Sequence, residues 1–503
     1  MYEYALIASV VIFVMVSALF LRHPSASIFH PATFYLMFHG LVFVIRPLFA
    51  WDYGFDSIYK AMGFMPSEWE KTQVLICTNL GLVVFVAVTM ALTPNPLRFQ
   101  QDEFDKAQRA LLLERFWLVA APLVLVALYT LYWVWGVKAA GQSVGEVDAN
   151  TGVRTLQGVN GYFISAGAML VPIVAAIAFL GRFRPWSLAP FVAFSVVRLG
   201  TGSRGDFVAA AVTIAILFLF DRRKKWPNLP VVVAAGVLAV VFNSIQQDRG
   251  AAIRESFGYE NAADVRSLST EDARPLESQD IANLEFFEYL VWAVPKRTGS
   301  YDYFLHNLQI FTEPIPRALW KDKPVGAPIK MFELYRYGRT IGATSSMPGA
   351  GWYSWGYAGV AIWSAVFALI YGGAYRAVAN SRQSNVAMIT YAIFLATAVV
   401  AFRDGALITI MKQLLFYLVP PAALWFIARA TNVPSAARLR EWATAAANAA
   451  PALAAITPRE RRAAVAGQLA PNAAMAEAAA APTPHERRLA RMRSLALPRR
   501  RRG

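Results

Sequence analysis

The sequence predicts an all-α polytopic membrane protein with about eleven transmembrane helices and one large extracytoplasmic loop. Three observations carry this. The 503 residues are 57% hydrophobic and 16% charged, with a mean hydropathy of +0.40, whereas soluble domains are roughly 25% charged. The apolar residues fall in blocks of roughly 15–25, the length a helix needs to cross about 30 Å of hydrocarbon. Lys and Arg crowd into alternate connecting loops, as they do when basic loops stay on the cytoplasmic face.

The expected spans are 4–21, 31–50, 73–93, 116–137, 161–181, 186–200, 206–220, 228–244, 352–375, 385–401 and 407–428. The first block has no basic stretch before it and no small-residue cleavage site before His23-Pro24, so it reads as a retained helix rather than a signal peptide. One set of alternate loops holds Arg22, Arg98, Lys106, Arg109, Arg115, Arg182, Arg184, Arg222, Arg223, Lys224, Lys225, Arg376 and Arg382. The opposite short loops hold about seven basic residues. The N-terminus is therefore expected outside and the C-terminus in the cytoplasm.

Two domains are expected: 1–428, which carries the spans, and a basic Ala/Arg-rich tail over 429–503, read as mostly disordered with at most weak helix. The tail holds 14 Arg against 4 Asp and Glu, which is +10 of a formal +16. A basic segment beside a bilayer points to anionic lipid rather than nucleic acid. The connection 245–351 has 12 Lys and Arg against 14 Asp and Glu and falls outside. Its aromatic residues over 282–320 argue for order there, with a short interfacial helix over Ile281–Leu290. Cys77 is the single cysteine, so an intrachain disulfide is excluded.

Ionisable residues near the helix ends share one face in this arrangement. Arg46, Arg198, Arg204, Asp206, Arg403, Asp404 and Lys412 all fall at the outer leaflet. A central Arg or Lys costs about 2.5–3.5 kcal/mol on insertion scales, and snorkelling near the interface relieves much of that. Snorkelling explains a single arginine; it does not explain so many cations on the poorer side of the positive-inside rule. An outward-facing cationic cavity does. The run Leu199-Gly-Thr-Gly-Ser-Arg-Gly205 suits an anion, because glycines allow close backbone approach before a helix start. It is not a nucleotide-binding P-loop, since the Gly-Lys-Ser/Thr ending is missing.

In the external connection, Pro314, Pro316 and Pro324 stiffen the backbone that carries Arg317, Lys321 and Lys323. Trp320 suits stacking on a sugar ring or anchoring at the headgroups. Residues Gly342–Gly356 are small and aromatic, which fits a tight re-entry into the bilayer. Four motifs together resemble the Wzy-type oligosaccharide repeat-unit polymerases of bacterial surface polysaccharide assembly. They are His30-Pro31 with Arg46-Pro47, Gly202-Ser-Arg-Gly205, Ile315-Pro-Arg-Ala-Leu-Trp-Lys-Asp-Lys-Pro324, and Gly351-Trp-Tyr-Ser-Trp-Gly-Tyr-Ala-Gly359. The resemblance covers the layout of 1–428; the tail after 432 has no counterpart.

The resemblance implies a metal-independent glycosyltransferase with no cofactor, in the bacterial inner membrane. It implies undecaprenyl-diphosphate-linked oligosaccharide as substrate, and membrane lipids and a chain-length regulator protein as partners. Cations stabilise a diphosphate leaving group best when they are already positioned where its charge builds up, and arginine forks match phosphate oxygens. Arg198, Arg204 and Arg403 are therefore assigned to the diphosphate, with Arg317 and Lys323 closing from the loop and Lys412 as a further candidate. His306, Glu313, Asp302, Glu288 and Asp206 remain candidates for the base that activates the acceptor hydroxyl, with Glu313 preferred for its place in the proline-fixed motif. A lipid-linked glycan ligase has similar requirements. A transporter of lipid-linked sugar would carry ionisable residues along both leaflets.

Overall fold

The computed structural model describes residues 1–99, 101–139, 146–147, 154–155, 163, 165–200, 204–233, 236, 276–277, 281–312, 315, 319–320, 334, 337 and 344–455. Apart from a two-residue antiparallel pairing of Glu146–Val147 with Arg154–Thr155, the described elements are helical.

In chain order these are α1 (Tyr2–Arg22), α2 (Pro31–Tyr53), α3 (Ser57–Met62), α4 (Glu68–Leu92), α5 (Glu103–Ala139), α6 (Leu170–Leu180), α7 (Pro185–Gly200) and α8 (Arg204–Asp221). They continue with α9 (Asn283–Ala293), α10 (Ser346–Asn380), α11 (Asn385–Asp404), α12 (Leu407–Ala430) and α13 (Ala436–Ala455). Every expected span coincides with a helix except 228–244, which lies mostly outside the described residues. Among the described residues, seven helices are long and apolar enough to cross a membrane: α1, α2, α4, the Glu103–Val134 part of α5, α10, α11 and α12. The other three matching helices fall short of that standard for visible reasons. α6 has 11 residues and α7 has 16; at 1.5 Å per residue, 16 residues reach only about 24 Å. α8 carries Arg204, Asp206 and Asp221.

Local chemistry sets several helix starts. His30 caps α2: its Nδ1 accepts the Ala32 N–H at 3.2 Å, its Nε2 lies 2.8 Å from Thr93 Oγ1, and Pro31 occupies the first helical position, where the missing N–H costs nothing. Ser67 and Glu70 form a capping box at the head of α4. Within α2 the turn Gly40–Ile45 widens into a π-helix, a distortion that recurs at functional positions.

The chain divides into two compact units. The first comprises Met1–Phe99 and Ala120–Ala423. There α4 packs against α1, α2, α9 and α10, while α6 packs against α7, α8 and α11. Every residue of α6 is buried, so its apolar character all round matches its place. The second unit comprises Gln100–Val119 and Leu424–Gly503. The side chain of Asp102 caps α5 by accepting the N–H groups of Phe104 and Asp105, and Arg440 of α13 donates to Asp102 and Asp105. The expected tail thus begins as a helix, and residues 100–119 of α5 belong with it; residues 456–503 lie outside the described residues.

α10 is two helices in sequence. Trp355 (φ −164°, ψ 41°) and Gly356 (φ 56°, ψ −140°) break it, so a short helix from Ser346 folds back on the long one that follows. The crossing is backbone on backbone: a Cβ on Gly351 would lie 2.5 Å from Val360 Cα, and one on Gly359 would fall on the Gly351 carbonyl oxygen. The glycines of the 351–359 run are needed for this fold-back.

Candidate functional site

Four segments of the first unit meet at the corner between α11 and α12. Gly405 turns the chain there with φ +71°, and a Cβ on it would strike the Ser346 carbonyl. The last carbonyls of α11 have no partner within their own helix, and side chains from elsewhere take them up. Asn283 at the head of α9 donates to Arg403 O at 2.9 Å, and also to Thr344 O and Oγ1 at 2.8 Å each. Ser345 Oγ donates to Asp404 O at 2.9 Å, and Trp363 Nε1 to Gly405 O at 2.7 Å. The backbone of Arg403 is thereby fixed. Its side chain remains 43% exposed, with Nε on Asp404 Oδ1 at 3.2 Å. The guanidinium thus reaches the surface from a clamped backbone, with its Nε on the Asp404 carboxylate.

Beside this corner runs a buried polar chain. Asp302 accepts from His306 Nδ1 and from the His306 backbone N–H, the latter at 3.2 Å. His306 Nε2 lies 3.0 Å from the Tyr353 hydroxyl, which also bonds to the Ser345 side chain. Asp302 N–H donates to Tyr353 O at 2.9 Å and Tyr303 N–H to Ser354 O at 2.8 Å, tying the 302–306 turn to the fold-back helix. Asp302, His306 and Tyr353 are 2%, 4% and 1% exposed. Both ring nitrogens of His306 are engaged, so the histidine acts on its surroundings through Tyr353.

Arg46 forms a separate cluster. Its Nε and Nη2 donate to the Glu285 carboxylate at 2.7–3.1 Å, and Nη1 donates to Leu276 O. Both side chains of the pair are fully buried. One turn further along α9, Glu288 accepts from the Tyr59 hydroxyl at 2.5 Å. Burial, reinforced by the neighbouring Glu285 charge, pushes the Glu288 carboxyl up to about 8, against the pull of Tyr59, Lys71 and Arg46. Glu288 therefore keeps its proton in the fold where the unfolded chain would lose it. Stability is expected to fall as pH rises from about 4.5 to about 8, by up to about 1.4 kcal/mol per pH unit, with no effect below that window. Glu288→Gln keeps an acceptor for Tyr59 and should flatten the slope, which thermal unfolding across the window would reveal; an unchanged slope in the variant would assign it to another group.

Arg198 and Asp206 form a third cluster. Arg198 Nη2 donates to Asp206 Oδ2, and the Tyr417 hydroxyl donates to Asp206 Oδ1 at 3.1 Å. This joins α7, α8 and α12. Tyr417 stands ten residues along α12 from Leu407, about 15 Å of helical rise.

The sequence-expected cations thus occupy separate places. Arg46 is neutralised by Glu285, Arg198 is clamped by Asp206, and Arg403 is partly exposed on its corner. Lys412 is exposed on α12. Arg204 opens α8, and its side chain, like Glu313, Arg317 and Lys323 as a whole, lies outside the described residues. Sequence reasoning missed Glu285, Asn283 and Tyr353. A buried arginine demands an acid, and Glu285 and Glu288, three apart on one helix face, were the signal available. The spacing Asp302-x-x-x-His306 was another.

Fold and site together define an all-α protein with apolar helices suited to a membrane, an ion pair buried between α2 and α9 and a second one joining α7 to α8. No protein-family model matches the chain, and no curated protein or solved structure matches it either.

Proposed function

We propose that this protein is an oligosaccharide repeat-unit polymerase of the bacterial inner membrane. In this reading about eleven spans place the N-terminus and the 245–351 connection outside and the tail in the cytoplasm. The observation that carries the reading is Arg403: a surface-reaching guanidinium on a backbone clamped by Asn283, Ser345 and Trp363, beside the buried Asp302–His306–Tyr353 chain.

The donor is a glycan on undecaprenyl diphosphate. The acceptor hydroxyl at the non-reducing end of the next lipid-linked unit forms a bond to the anomeric carbon while the bond from that carbon to the phosphate oxygen breaks. The hydroxyl proton passes to a base, and undecaprenyl diphosphate leaves with its negative charge. Arg403 stabilises that charge as it develops, with Arg204 and Lys412 as the other cations and Arg317 and Lys323 from the loop; Arg198, clamped by Asp206 in its own cluster, is not assigned to the diphosphate. Glu313 is the preferred base. Asp302 and His306 position Tyr353, and Asp206 holds Arg198.

The test is elongation of lipid-linked oligosaccharide by purified protein in liposomes without ATP or an ion gradient. Arg403→Ala is expected to cut elongation about a hundredfold with an unchanged Tm, because the side chain is part-exposed. Arg204→Ala and Arg204→Lys should both abolish long chains while the protein still inserts. Normal chain length in all three variants would remove the arginines from the reaction and end the proposal.

A further inference from the structure

Below the fold-back helix, four polar atoms are buried with no protein partner. They are the Tyr35 hydroxyl, both ring nitrogens of His39, and the Ser364 hydroxyl. All three residues are 0% exposed. They come from two helices, Tyr35 and His39 from successive turns of α2 and Ser364 from the long part of α10. A third helix, α4, passes between them with Gly81. A Cβ on Gly81 would lie 3.1 Å from Ser364 Oγ, 3.5 Å from the Tyr35 hydroxyl and 3.4 Å from Pro348 Cβ. Both hydroxyls therefore lie close against the bare Cα of Gly81, as does Pro348 of the fold-back helix.

The remaining walls near these groups are aromatic. Tyr35 packs on Phe85 and Phe402 at ring separations of 4.6 and 5.0 Å. His39 packs on Phe13 and Phe43 at 6.0 and 5.5 Å, and on Tyr35 itself at 5.8 Å. Such walls supply no ordinary hydrogen bonds. Buried polar groups are satisfied in nearly all folded proteins, and a buried water takes about three polar partners. A hydroxyl from each of two helices and an imidazole supply that many polar partners. The π-turn Gly40–Ile45 begins immediately after His39.

We infer that this polar cluster is an internal water site, with ordered water bridging the Tyr35 and Ser364 hydroxyls and continuing to the His39 ring. The inference is independent of glycan transfer.

Two measurements decide it. In the first, Tyr35→Phe, Ser364→Ala and the double variant are compared by thermal unfolding. If water bridges the hydroxyls, each single variant lowers Tm by about 2–4 °C, and the double loses less than the sum, because the two groups share one mediator. In a dry cluster, removing an unsatisfied hydroxyl raises Tm or leaves it unchanged. That outcome, or additive losses, overturns the site. The second measurement needs no substitution. Radiolytic hydroxyl labelling of the intact protein should modify Tyr35 and His39 despite their burial. It should spare Tyr391, whose hydroxyl is already bonded to Phe29 O at 2.6 Å. Labelling of Tyr35 and His39 no greater than that of Tyr391 refutes bound water there.

Discussion

Arg46→Ala is expected to destabilise the fold by about 3–5 kcal/mol, the usual cost of leaving one member of a buried ion pair without its partner. Glu285 sits with its carboxylate at 0% exposure and, among the described residues, keeps no cation of comparable geometry once Arg46 is gone. Glu285→Ala should cost a similar amount, because the guanidinium is then stranded between α2 and α9. Replacing both with apolar residues of similar size, as in Arg46→Met with Glu285→Leu, should recover much of the loss, since two well-packed apolar side chains pay no desolvation penalty. Thermal unfolding of the four proteins in one detergent gives the cycle directly. Single-variant losses that simply add in the double would show that the two residues do not work as a pair. The contrast with Arg403 is useful: its removal is expected to leave Tm in place, so stability alone separates the structural arginine from the available one.

Gly359→Ala has the other large expected effect. The added methyl falls on the Gly351 carbonyl oxygen, and the obstacle is backbone rather than a side chain that can rotate away. Overpacking ordinarily costs about 1–3 kcal/mol, and a clash with main chain on both sides belongs at the upper end or beyond it. Gly351→Ala should behave alike, with its Cβ 2.5 Å from Val360 Cα and 2.7 Å from Gly359 O. Gly373, further along the same α10, has nothing within 4 Å of an added Cβ. Gly373→Ala is therefore expected to be neutral or slightly stabilising, by the helix preference of about 0.5–1 kcal/mol. Monodispersity and Tm of the purified variants check all three. If Gly359→Ala were as stable as Gly373→Ala, the close crossing would not be a constraint on this fold. Because Tyr353 lies on the short helix, a lost crossing should also release His306 from its bond to the Tyr353 hydroxyl.

Nothing in the amino-acid order tells these arginines apart. At helix ends Arg46, Arg198 and Arg403 look alike, each a cation beside an apolar block. Their surroundings separate them. Arg46 meets an acid 239 positions away, Arg198 meets one eight positions away across the α7–α8 corner, and among the described residues the acid that Arg403 meets is its neighbour Asp404. His306 reads as an isolated loop histidine, yet its two nitrogens are spoken for by Asp302 and by Tyr353, 47 positions on. The small and aromatic residues of 342–356 signalled a tight chain path before the long part of α10. They did not signal its cause, a glycine–glycine backbone contact.

Helix positions were written into the amino-acid order, because the length and apolarity that suit a segment to hydrocarbon are properties of neighbouring residues. The break in α10 and the caps of α2 and α4 are equally local, resting on glycine, proline, serine and glutamate at fixed offsets. Which charge is cancelled and which remains available was settled only by packing. Cancelling a buried charge requires a partner within about 3 Å, and proximity at that scale between distant stretches of chain exists only after the helices have come together.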